Sequence, residues 1–438
     1  MLELDGVQDF AAARDAEVFE SLPRRPGVLL IAMRDANAQP YLARTADIRR
    51  AAERLLRAPE EPSKRLTLRN VAGQLRYRAT GSKFEQQLAH YQQARTHFPG
   101  RYRDLVRLRP PAVLKVNLGS EYPRCYVTRR IRAEDGFYFG PFPSRKAADA
   151  FGESFLDLFK IRRCQIKIRR DPSFPGCIYS EMKMCLAPCF AGCSKQEYDL
   201  EVEGVLQTLD SSGAALIEQM ERDREAASES LDFEHAAALH KRLEKVSSVW
   251  RGLPALARRI DDLNLIILQR GAEQKTVAAF PLLGGLLQEP IFLRFGELSS
   301  EPRSVEMILR AGLQQTEVNS ARPRSEPKGI PPSEEQHAPA ESPEERTQRY
   351  RLRDAPPELS EHLCLVARWF YSSPRDGEVF FREADWPYRR ILRACSRLLA
   401  EPAADSAAAV SPQQKASLAR ERIKRLNAFS RPRRKPAK

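Results

Sequence analysis

The chain has 438 residues, of which 42% are hydrophobic, so its length allows about two to four domains with cores of their own. It contains no apolar run near the roughly 18 residues of a membrane span, and residues 1–20 lack the basic start and apolar stretch of a signal peptide. The formal net charge is +14, which favours a polyanionic partner such as DNA or RNA. We therefore expect a cytosolic, cytoplasmic protein with no membrane contact.

In chain order, residues 20–110 predict a small α/β module. The apolar run 26–33 predicts a strand. Residues 47–57 predict a helix, because Ile48, Ala52, Leu55 and Leu56 form one apolar stripe and Asp47 is a suitable N-cap; the stripe and the cap lie within that range.

Residues 111–200 predict a region of strands and helices that contains a cysteine cluster. Strands are predicted over 113–116 and 124–128, an aromatic, turn-rich segment over 137–143, and a helix from Ser144 to about residue 159. Residues 164–193 have little periodicity and form the predicted cysteine loop.

The remaining regions complete an α+β multidomain fold. Residues 201–250 predict a helical hairpin, with helices over 213–228 and 231–249. A small β unit is predicted over 251–312 and a Pro-rich linker over 313–357. A helical piece over 358–400 and a disordered basic tail over 401–438 follow. Within the β unit, strands are predicted over 263–269, 276–282 and 290–295.

Positive charge is concentrated in two places. Residues 419–438 hold nine Lys or Arg and one Glu, a local net charge of +8, which leaves +6 for the rest of the chain. The second run has no acidic residue between its ends and consists of Lys160, Arg162, Arg163, Lys167, Arg169 and Arg170. We predict that this second run binds DNA. For the tail, a solvated end is the alternative to nucleic-acid binding.

Four cysteines lie close together beside the second basic run. They are spaced C-x12-C-x7-C-x3-C, and they are Cys164, Cys177, Cys185 and Cys189. In a reducing compartment such clustering favours metal binding over disulfides. Four thiolates suit zinc and also an iron–sulfur cluster, and the spacing alone does not decide between them. Four buried, unligated cysteines are a further alternative.

Several segments, in order, resemble the UvrC family, the nuclease subunit of the bacterial nucleotide-excision-repair excinuclease. Residues 138–144 (YFGPFPS) are similar to the family's YFGPYPS segment, and residues 185–189 (CLAPC) to its CSAPC segment. Residues 231–243 (LDFEHAAALHKRL) resemble the LEFERAAELRDQI core of the UVR motif, and residues 261–266 resemble the strand that follows it.

The resemblance implies a cofactor for the cysteine loop. Members of the family hold a [4Fe–4S] cluster at this place, and the matching positions are Cys164, Cys177, Cys185 and Cys189. Zn²⁺ remains the alternative. Cys193 lies outside the family pattern and is either a spare thiol or a competing ligand.

The amino-terminal region resembles the GIY-YIG nuclease module, which uses two tyrosines, an arginine and a glutamate with one divalent metal. Leu29 stands in place of the first tyrosine, and Tyr41 retains the second. The arginine position falls on Ala51, and the glutamate position falls near Ala89. Because alanine and leucine cannot bind a cation or polarise water, we expect a retained fold that has lost its nuclease chemistry.

We predict that two residues of the nuclease site could remain. They are Tyr41, which keeps the second tyrosine, and Glu85, the carboxylate nearest to the expected glutamate position. The alternative function is an active, metal-dependent, structure-specific endonuclease that uses these two with Arg49 or Arg50. Full-length relatives continue into a ribonuclease-H-like nuclease domain and helix-hairpin-helix repeats. Residues after 310 show no matching cluster of Asp and His in strands, so we expect no second nuclease in this chain.

The UVR resemblance implies a protein partner. In the family this hairpin binds a matching hairpin of UvrB, the damage-verifying helicase subunit. We predict that Phe233, Ala237, Leu239 and Leu243 form the docking ridge; a hairpin packed on its own domain is the alternative. The expected function is a catalytically inactive, UvrC-like repair protein that binds DNA and a UvrB-like partner, and a redox- or iron-responsive regulator is a third hypothesis.

Overall fold

Three antiparallel sheets organise the part of the chain that the computed structural model describes. The described residues are 2–58, 66–134, 136–296, 304–319, 349–352 and 354–400. No helix in these ranges is long and apolar enough to cross a membrane.

The first sheet has the strand order β1-β4-β2-β3 and carries helices on both faces. The elements of this N-terminal module are β1 (Gly6–Asp9), α1 (Asp15–Ser21), β2 (Gly27–Met33), β3 (Tyr41–Thr45), α2 (Ile48–Leu56), β4 (Ala72–Ala79), α3 (Lys83–His97) and α4 (Tyr102–Leu105). Strand β2 and helix α2 confirm the predictions, and the Asp47 carboxylate caps α2 by accepting from the Arg50 N–H at 2.9 Å. The predicted start at residue 20 is too late, because β1 pairs with β4.

The two faces of this sheet are covered by different helices. Side chains alternate across a strand, so Leu29 packs with α1 and α2, whereas Val28 packs with α3. Side chains on opposite faces of this sheet are therefore separated by the sheet itself.

The second sheet has the order β6-β5-β7-β8. The elements of this middle module are β5 (Ala112–Val116), β6 (Cys125–Thr128), β7 (Phe137–Phe142), β8 (Arg258–Arg259), α5 (Arg145–Leu156), α6 (Ile178–Glu181) and α7 (Lys195–Asp210). Strands β5 and β6 match their predictions, and Ser144 caps α5 by accepting from the Ala147 N–H at 3.1 Å. The segment predicted as turn-rich is instead the buried strand β7, because its rings pack on α5, with Phe139 stacked on Phe151 at 5.8 Å between centroids.

The predicted helical hairpin is present. Helices α8 (Ala214–Glu229) and α9 (Phe233–Arg251) are joined by a short turn in which Leu231 takes a left-handed conformation, with φ of 60°. At the base of the hairpin, Trp250 packs on Phe151 of α5 with the ring centroids 5.5 Å apart. The hairpin is therefore anchored to the middle module at one end.

The third sheet includes strands from two separate parts of the chain. Its elements are β9 (Leu265–Arg270), β10 (Thr276–Leu283), β11 (Leu286–Leu287), β12 (Ile291–Arg294), α10 (Val305–Asn319), α11 (Pro357–Phe370), β13 (Glu378–Phe381) and α12 (Tyr388–Ala400). Strands β9, β10 and β12 lie where the sequence predicts them. The sheet has the order β11-β10-β9-β13, and β12 also pairs with β10.

Residues 358–400 are not the separate helical piece that the sequence predicts. Strand β13 pairs with β9, and Leu363 of α11 belongs to the same buried cluster as Phe84 of α3 and Phe280 of β10. The C-terminal segment thus completes the third sheet and fills the space between it and the N-terminal module.

The predicted linker is partly structured. Its first residues belong to α10, and near its end Leu352 is buried and donates its N–H to the Gly136 carbonyl at 3.0 Å. Residues 320–348 and 353, and the predicted basic tail over 401–438, lie outside the described residues.

Candidate functional site

The cysteine loop connects α5 to α7 and contains the four predicted ligands. Cys164, Cys177 and Cys185 are half-buried, and Cys189 is buried. Burial, and then the negative charges of Cys164, Cys189 and Cys177, raise the pKa of the Cys185 thiol to about 11, although the Ala187 N–H opposes the rise. The loop therefore brings the four sulfurs within electrostatic range of one another, where a metal would favour their thiolate forms.

The loop backbone is tightly turned around the last two of these cysteines. Ala187 and Ala191 both adopt left-handed conformations, with φ of 56° and 61°, which non-glycine residues rarely take. At Gly192 a side chain would come within 3.1 Å of the Ala187 carbonyl oxygen. The Ala187 N–H points at the Cys185 sulfur at 3.3 Å. This arrangement fits a backbone that wraps around a group held by sulfur.

Arg162 fixes the start of the loop from inside the protein. Its side chain is 6% exposed and donates to the carbonyl oxygens of Tyr122 at 2.7 Å, Ile166 at 3.0 Å and Cys164 at 3.2 Å. Its own N–H donates to the Tyr198 hydroxyl at 3.0 Å. Arg162 was predicted to bind DNA, but its guanidinium is occupied by backbone carbonyls and is unavailable to a phosphate.

The other members of the predicted DNA-binding run differ in exposure. Arg163 is largely buried and donates to the Leu156 carbonyl at 2.8 Å and the Asp157 carboxylate at 2.9 Å. The side chains that face solvent are those of Lys160, Lys167, Arg169 and Arg170. Four of the six predicted positions are therefore accessible to a polyanion.

Cys193 differs from the other four cysteines in its packing. Burial raises the pKa of its thiol, and Cys193 also lies close enough to Cys189 for that charge to raise it further. Cys193 is buried in the hydrophobic core of the middle module with residues such as Tyr198 and Phe159. Within the described ranges, no group of three or more His, Cys, Asp and Glu side chains is arranged to hold a metal ion.

In the N-terminal module, the positions predicted to correspond to nuclease residues are filled by buried apolar side chains. Leu29 and Ala89 are fully buried, and Ala51 is 6% exposed. Arg49, which lies near the expected arginine position, donates to the Leu22 carbonyl at 2.8 Å and to the Glu20 carbonyl. Arg49 therefore stabilises the preceding loop and is not directed at a substrate.

The structure does not bring Tyr41 and Glu85 together. Tyr41 is opposite Ile31 and packs on the face of the sheet that α1 and α2 cover. Glu85 lies on α3, on the other face, where it is fully buried. A single active site cannot include both side chains.

Glu85 has a structural environment. Its carboxylate accepts from the Gly81 N–H at 2.9 Å and pairs with the Arg78 guanidinium at 3.4 Å. Burial raises the pKa of Glu85, and the Gly81 hydrogen bond and the Arg78 charge oppose that rise. Sequence reasoning missed Arg78; its alternation with buried residues of β4 is the signal that places it on the α3 face.

The predicted docking ridge is only partly on the surface. Phe233 is 65% exposed beside the equally prominent Leu231 at the tip of the hairpin, and Ala237 is exposed as well. Leu239 is half-buried, and Leu243 is buried against the middle module. Leu243 therefore holds the hairpin in place, whereas Phe233 and Ala237 are free to contact another protein.

Two segments of the chain match known protein families. Residues 112–208 match the middle domain of the UvrC/Cho excinucleases, and residues 214–249 match the UvrB/UvrC motif. The first segment contains the four-cysteine loop, and the second is the α8–α9 hairpin. No solved structure matches the chain.

Relatives of the same kind extend over more of the chain. The UvrABC system protein C of Carboxydothermus hydrogenoformans is 27% identical over 325 residues, which are 69% of this chain and 53% of that protein. That of Moorella thermoacetica is 27% identical over 61% of this chain and 43% of its own length. That of Haemophilus ducreyi is 29% identical over 56% of this chain and 40% of its own length.

The chain thus spans about half the length, or less, of the relatives it matches. The matched segments agree in position with the cysteine loop and the hairpin that the structure describes. Two segments of the chain are thus those of the UvrC family, a UvrC/Cho middle domain and a UvrB/UvrC motif, and the chain is similar to UvrC proteins beyond them.

Proposed function

We propose that this protein is a DNA-binding component of nucleotide excision repair that has lost GIY-YIG nuclease chemistry and docks a UvrB-like partner. The observation that carries this proposal is the pairing of a UvrC middle domain with a hairpin whose tip exposes Phe233. The N-terminal module supports the loss of chemistry, because Leu29, Ala51 and Ala89 fill the reactive positions.

We propose that the protein holds a [4Fe–4S] cluster as its cofactor, with Cys164, Cys177, Cys185 and Cys189 as the ligands. The donor set and the tightly turned backbone fit such a group. Four thiolates also suit Zn²⁺, which remains the alternative. When bound, the cluster would cross-link distant parts of the loop, whereas Arg162 holds the start of the loop through its hydrogen bonds.

In this proposal, the UvrB-like partner docks on the tip of the α8–α9 hairpin. An exposed Phe beside an exposed Leu on a charged helix is an apolar anchor of the kind that fills a groove on another helical hairpin. DNA would meet the accessible basic residues Lys160, Lys167, Arg169 and Arg170.

A reconstitution experiment tests the proposal. The purified chain, a UvrB-type helicase subunit and a lesion-bearing duplex are mixed and separated by size-exclusion chromatography. We expect one peak that contains all three components. A chain that elutes alone, with neither the partner nor the duplex, would contradict the proposal.

A further inference from the structure

A pocket of about 340 Å³ lies where four parts of the chain meet. They are the segment after α4, the residue that follows β6 (Arg129), the end of β7 with the start of α5, and α11 with Tyr371. The end of β7 belongs to the YFGPFPS segment, to which the resemblance assigns no function. This pocket is separate from the cysteine loop and from the hairpin tip.

The pocket is strongly positive. Five arginines line it: Arg107, Arg109, Arg129, Arg145 and Arg368. None of the described residues in the lining is acidic; at the rim, Arg145 pairs with Asp149 at 3.4 Å. Several like charges around one cavity repel one another, so a bound anion would lower the electrostatic energy of the protein.

Three of these arginines have their guanidinium groups available. The side chains of Arg107, Arg109 and Arg129 are exposed, and in the described part of the chain none of them forms an ion pair or a side-chain hydrogen bond. On β3, the pKa of Arg44 is lowered by burial and then by the charges of Arg368 and Arg107. The positive field therefore extends beyond the lining itself.

Hydrogen bonds hold three of these four parts of the chain together. Arg368 donates to the carbonyl oxygens of Val106, at 3.2 Å, and Arg107, at 2.6 Å. The Tyr371 hydroxyl donates to the Pro141 carbonyl at 2.8 Å. The arginines are thus presented on a fixed frame, which reduces the entropy lost when they bind a ligand.

The first turn of α5 adds donors to the same place. Ser144, the N-cap of this twelve-residue helix, lines the pocket next to Arg145. The first N–H groups of a helix lack partners within the helix and carry partial positive charge. Guanidinium forks together with such N–H groups match the tetrahedral oxygens of a phosphoryl group.

We propose that this pocket binds a phosphoryl group, with the backbone of DNA as its source. The proposal deepens the proposed function, on which the choice of DNA rests; the phosphoryl site itself rests only on the pocket. The same chemistry would accept a free phosphate or a pyrophosphate, and the experiment separates these sources.

The experiment compares two double variants of the full chain. The pocket variant is Arg109→Gln with Arg129→Gln. The control is Arg14→Gln with Arg242→Gln, which removes the same charge from exposed residues outside the pocket lining. Binding of a labelled duplex is measured by fluorescence anisotropy at several salt concentrations, and binding of inorganic pyrophosphate by calorimetry. Thermal unfolding verifies that both variants are folded.

We expect the pocket variant to bind the duplex and pyrophosphate about tenfold more weakly than wild type. Its slope of log affinity against log salt should be smaller by about 1. The control should match wild type in both assays, and pyrophosphate should displace the duplex from wild type. Equal affinities of pocket variant and wild type for both ligands, or equal losses in the pocket variant and the control, would overturn the site.

Two other results separate the site from the proposed function. If only pyrophosphate binding depends on the pocket arginines, the phosphoryl site is supported and DNA is rejected as its source. If wild type binds no duplex but binds pyrophosphate through these arginines, the proposed function fails while the site stands.

Discussion

At the scale of residues, buried hydrogen bonding separates structural side chains from those that can meet a ligand. Arg162 and Arg169 belong to the same basic run of the sequence. Yet Arg162 is enclosed and donates to three carbonyl oxygens, whereas Arg169 faces solvent. The guanidinium of Arg162 therefore stabilises the cysteine loop, whereas that of Arg169 is available to a polyanion.

A stability comparison tests this distinction. Arg162→Gln should lower the free energy of unfolding by about 2 to 4 kcal/mol, because several buried carbonyl acceptors lose their donor. The matched change Arg169→Gln at an exposed position should cost less than about 0.5 kcal/mol. Urea unfolding of both variants measures the difference. If Arg162→Gln is as stable as wild type and binds DNA more weakly, the structural role of Arg162 is wrong.

The five clustered cysteines allow a matched test of the cofactor. Anaerobically purified wild type should be brown, with broad visible absorbance. Cys185→Ser should lose most of its iron and its absorbance, because it removes one of the four proposed ligands. Cys193→Ser should keep both, since Cys193 is packed in the hydrophobic core. A colourless wild type that holds stoichiometric zinc would refute the iron–sulfur assignment.

At the scale of elements, the hairpin α8–α9 divides into an anchored base and a free tip. Trp250 and Leu243 pack on the middle module, whereas Phe233 stands in solvent. Such a division lets a hairpin bind another protein without disturbing its own fold.

Phe233→Ala should therefore weaken binding of a UvrB-type protein about tenfold or more, as expected for an aromatic anchor. It should change the free energy of unfolding by less than about 0.5 kcal/mol. Leu105→Ala, at a 45% exposed position on α4, is the control for loss of exposed apolar surface. Surface plasmon resonance with the immobilised partner gives the affinities. Equal affinities for wild type and Phe233→Ala would place the docking surface elsewhere.

Helices α3 and α11 are joined by a buried carboxylate. Glu361 is 4% exposed and accepts from the hydroxyls of Tyr91 at 2.6 Å and Tyr102 at 2.7 Å, and from the Arg103 guanidinium at 2.8 Å. Burial acts to raise the pKa of Glu361, but these three donors together lower it below the usual 4.5. The ionised form is therefore favoured in the folded state.

This pKa gives a stability prediction with a defined sign. Because the folded pKa lies below the unfolded value, the carboxylate stabilises the protein above about pH 4.5, and this contribution is lost as the pH falls through the folded pKa. Glu361→Gln should cost about 1.5 to 3 kcal/mol at pH 7, with a smaller difference from wild type in acid. Urea unfolding between pH 3 and 7, an interval set by roughly the usual carboxyl range, measures it. A difference that does not change with pH would show that the charge of Glu361 is unimportant.

Local signals in the sequence predicted many elements correctly. The stripe and cap of α2, the Ser144 cap of α5 and the periodicity of α9 are all properties of neighbouring residues. Strand β7 was missed because Gly140 and Pro141 suggest a turn; its strand conformation depends on packing against α5, which no local pattern encodes.

Contacts between distant segments could not be predicted. Strand β13 pairs with β9, with Phe380 opposite Ile266, far apart in the sequence. The same holds for the candidate site: the four cysteines were found by their spacing, but the burial of Arg162 and the pairing of Glu85 with Arg78 depend on tertiary packing. The arginine-lined pocket, too, combines residues from four separate segments.

At the scale of the whole molecule, the C-terminal segment unites the modules. Helix α11 packs between α3 and the third sheet, and Leu352 joins the same core next to the middle module. The N-terminal module, in which Leu29, Ala51 and Ala89 occupy the expected nuclease positions, is thus part of a continuous scaffold. That scaffold places a basic loop, a basic pocket and a helical hairpin on one chain, as the proposed function requires.

The most direct test of the account is an incision assay. The purified chain is incubated with a UvrB-type protein, a lesion-bearing duplex and Mg²⁺ or Mn²⁺, and the strands are resolved on a denaturing gel. We predict that the duplex is bound but not cut, because Tyr41 and Glu85 lie on opposite faces of the first sheet. Metal-dependent incision that Glu85→Gln or Tyr41→Phe abolishes would contradict the account and establish an active endonuclease.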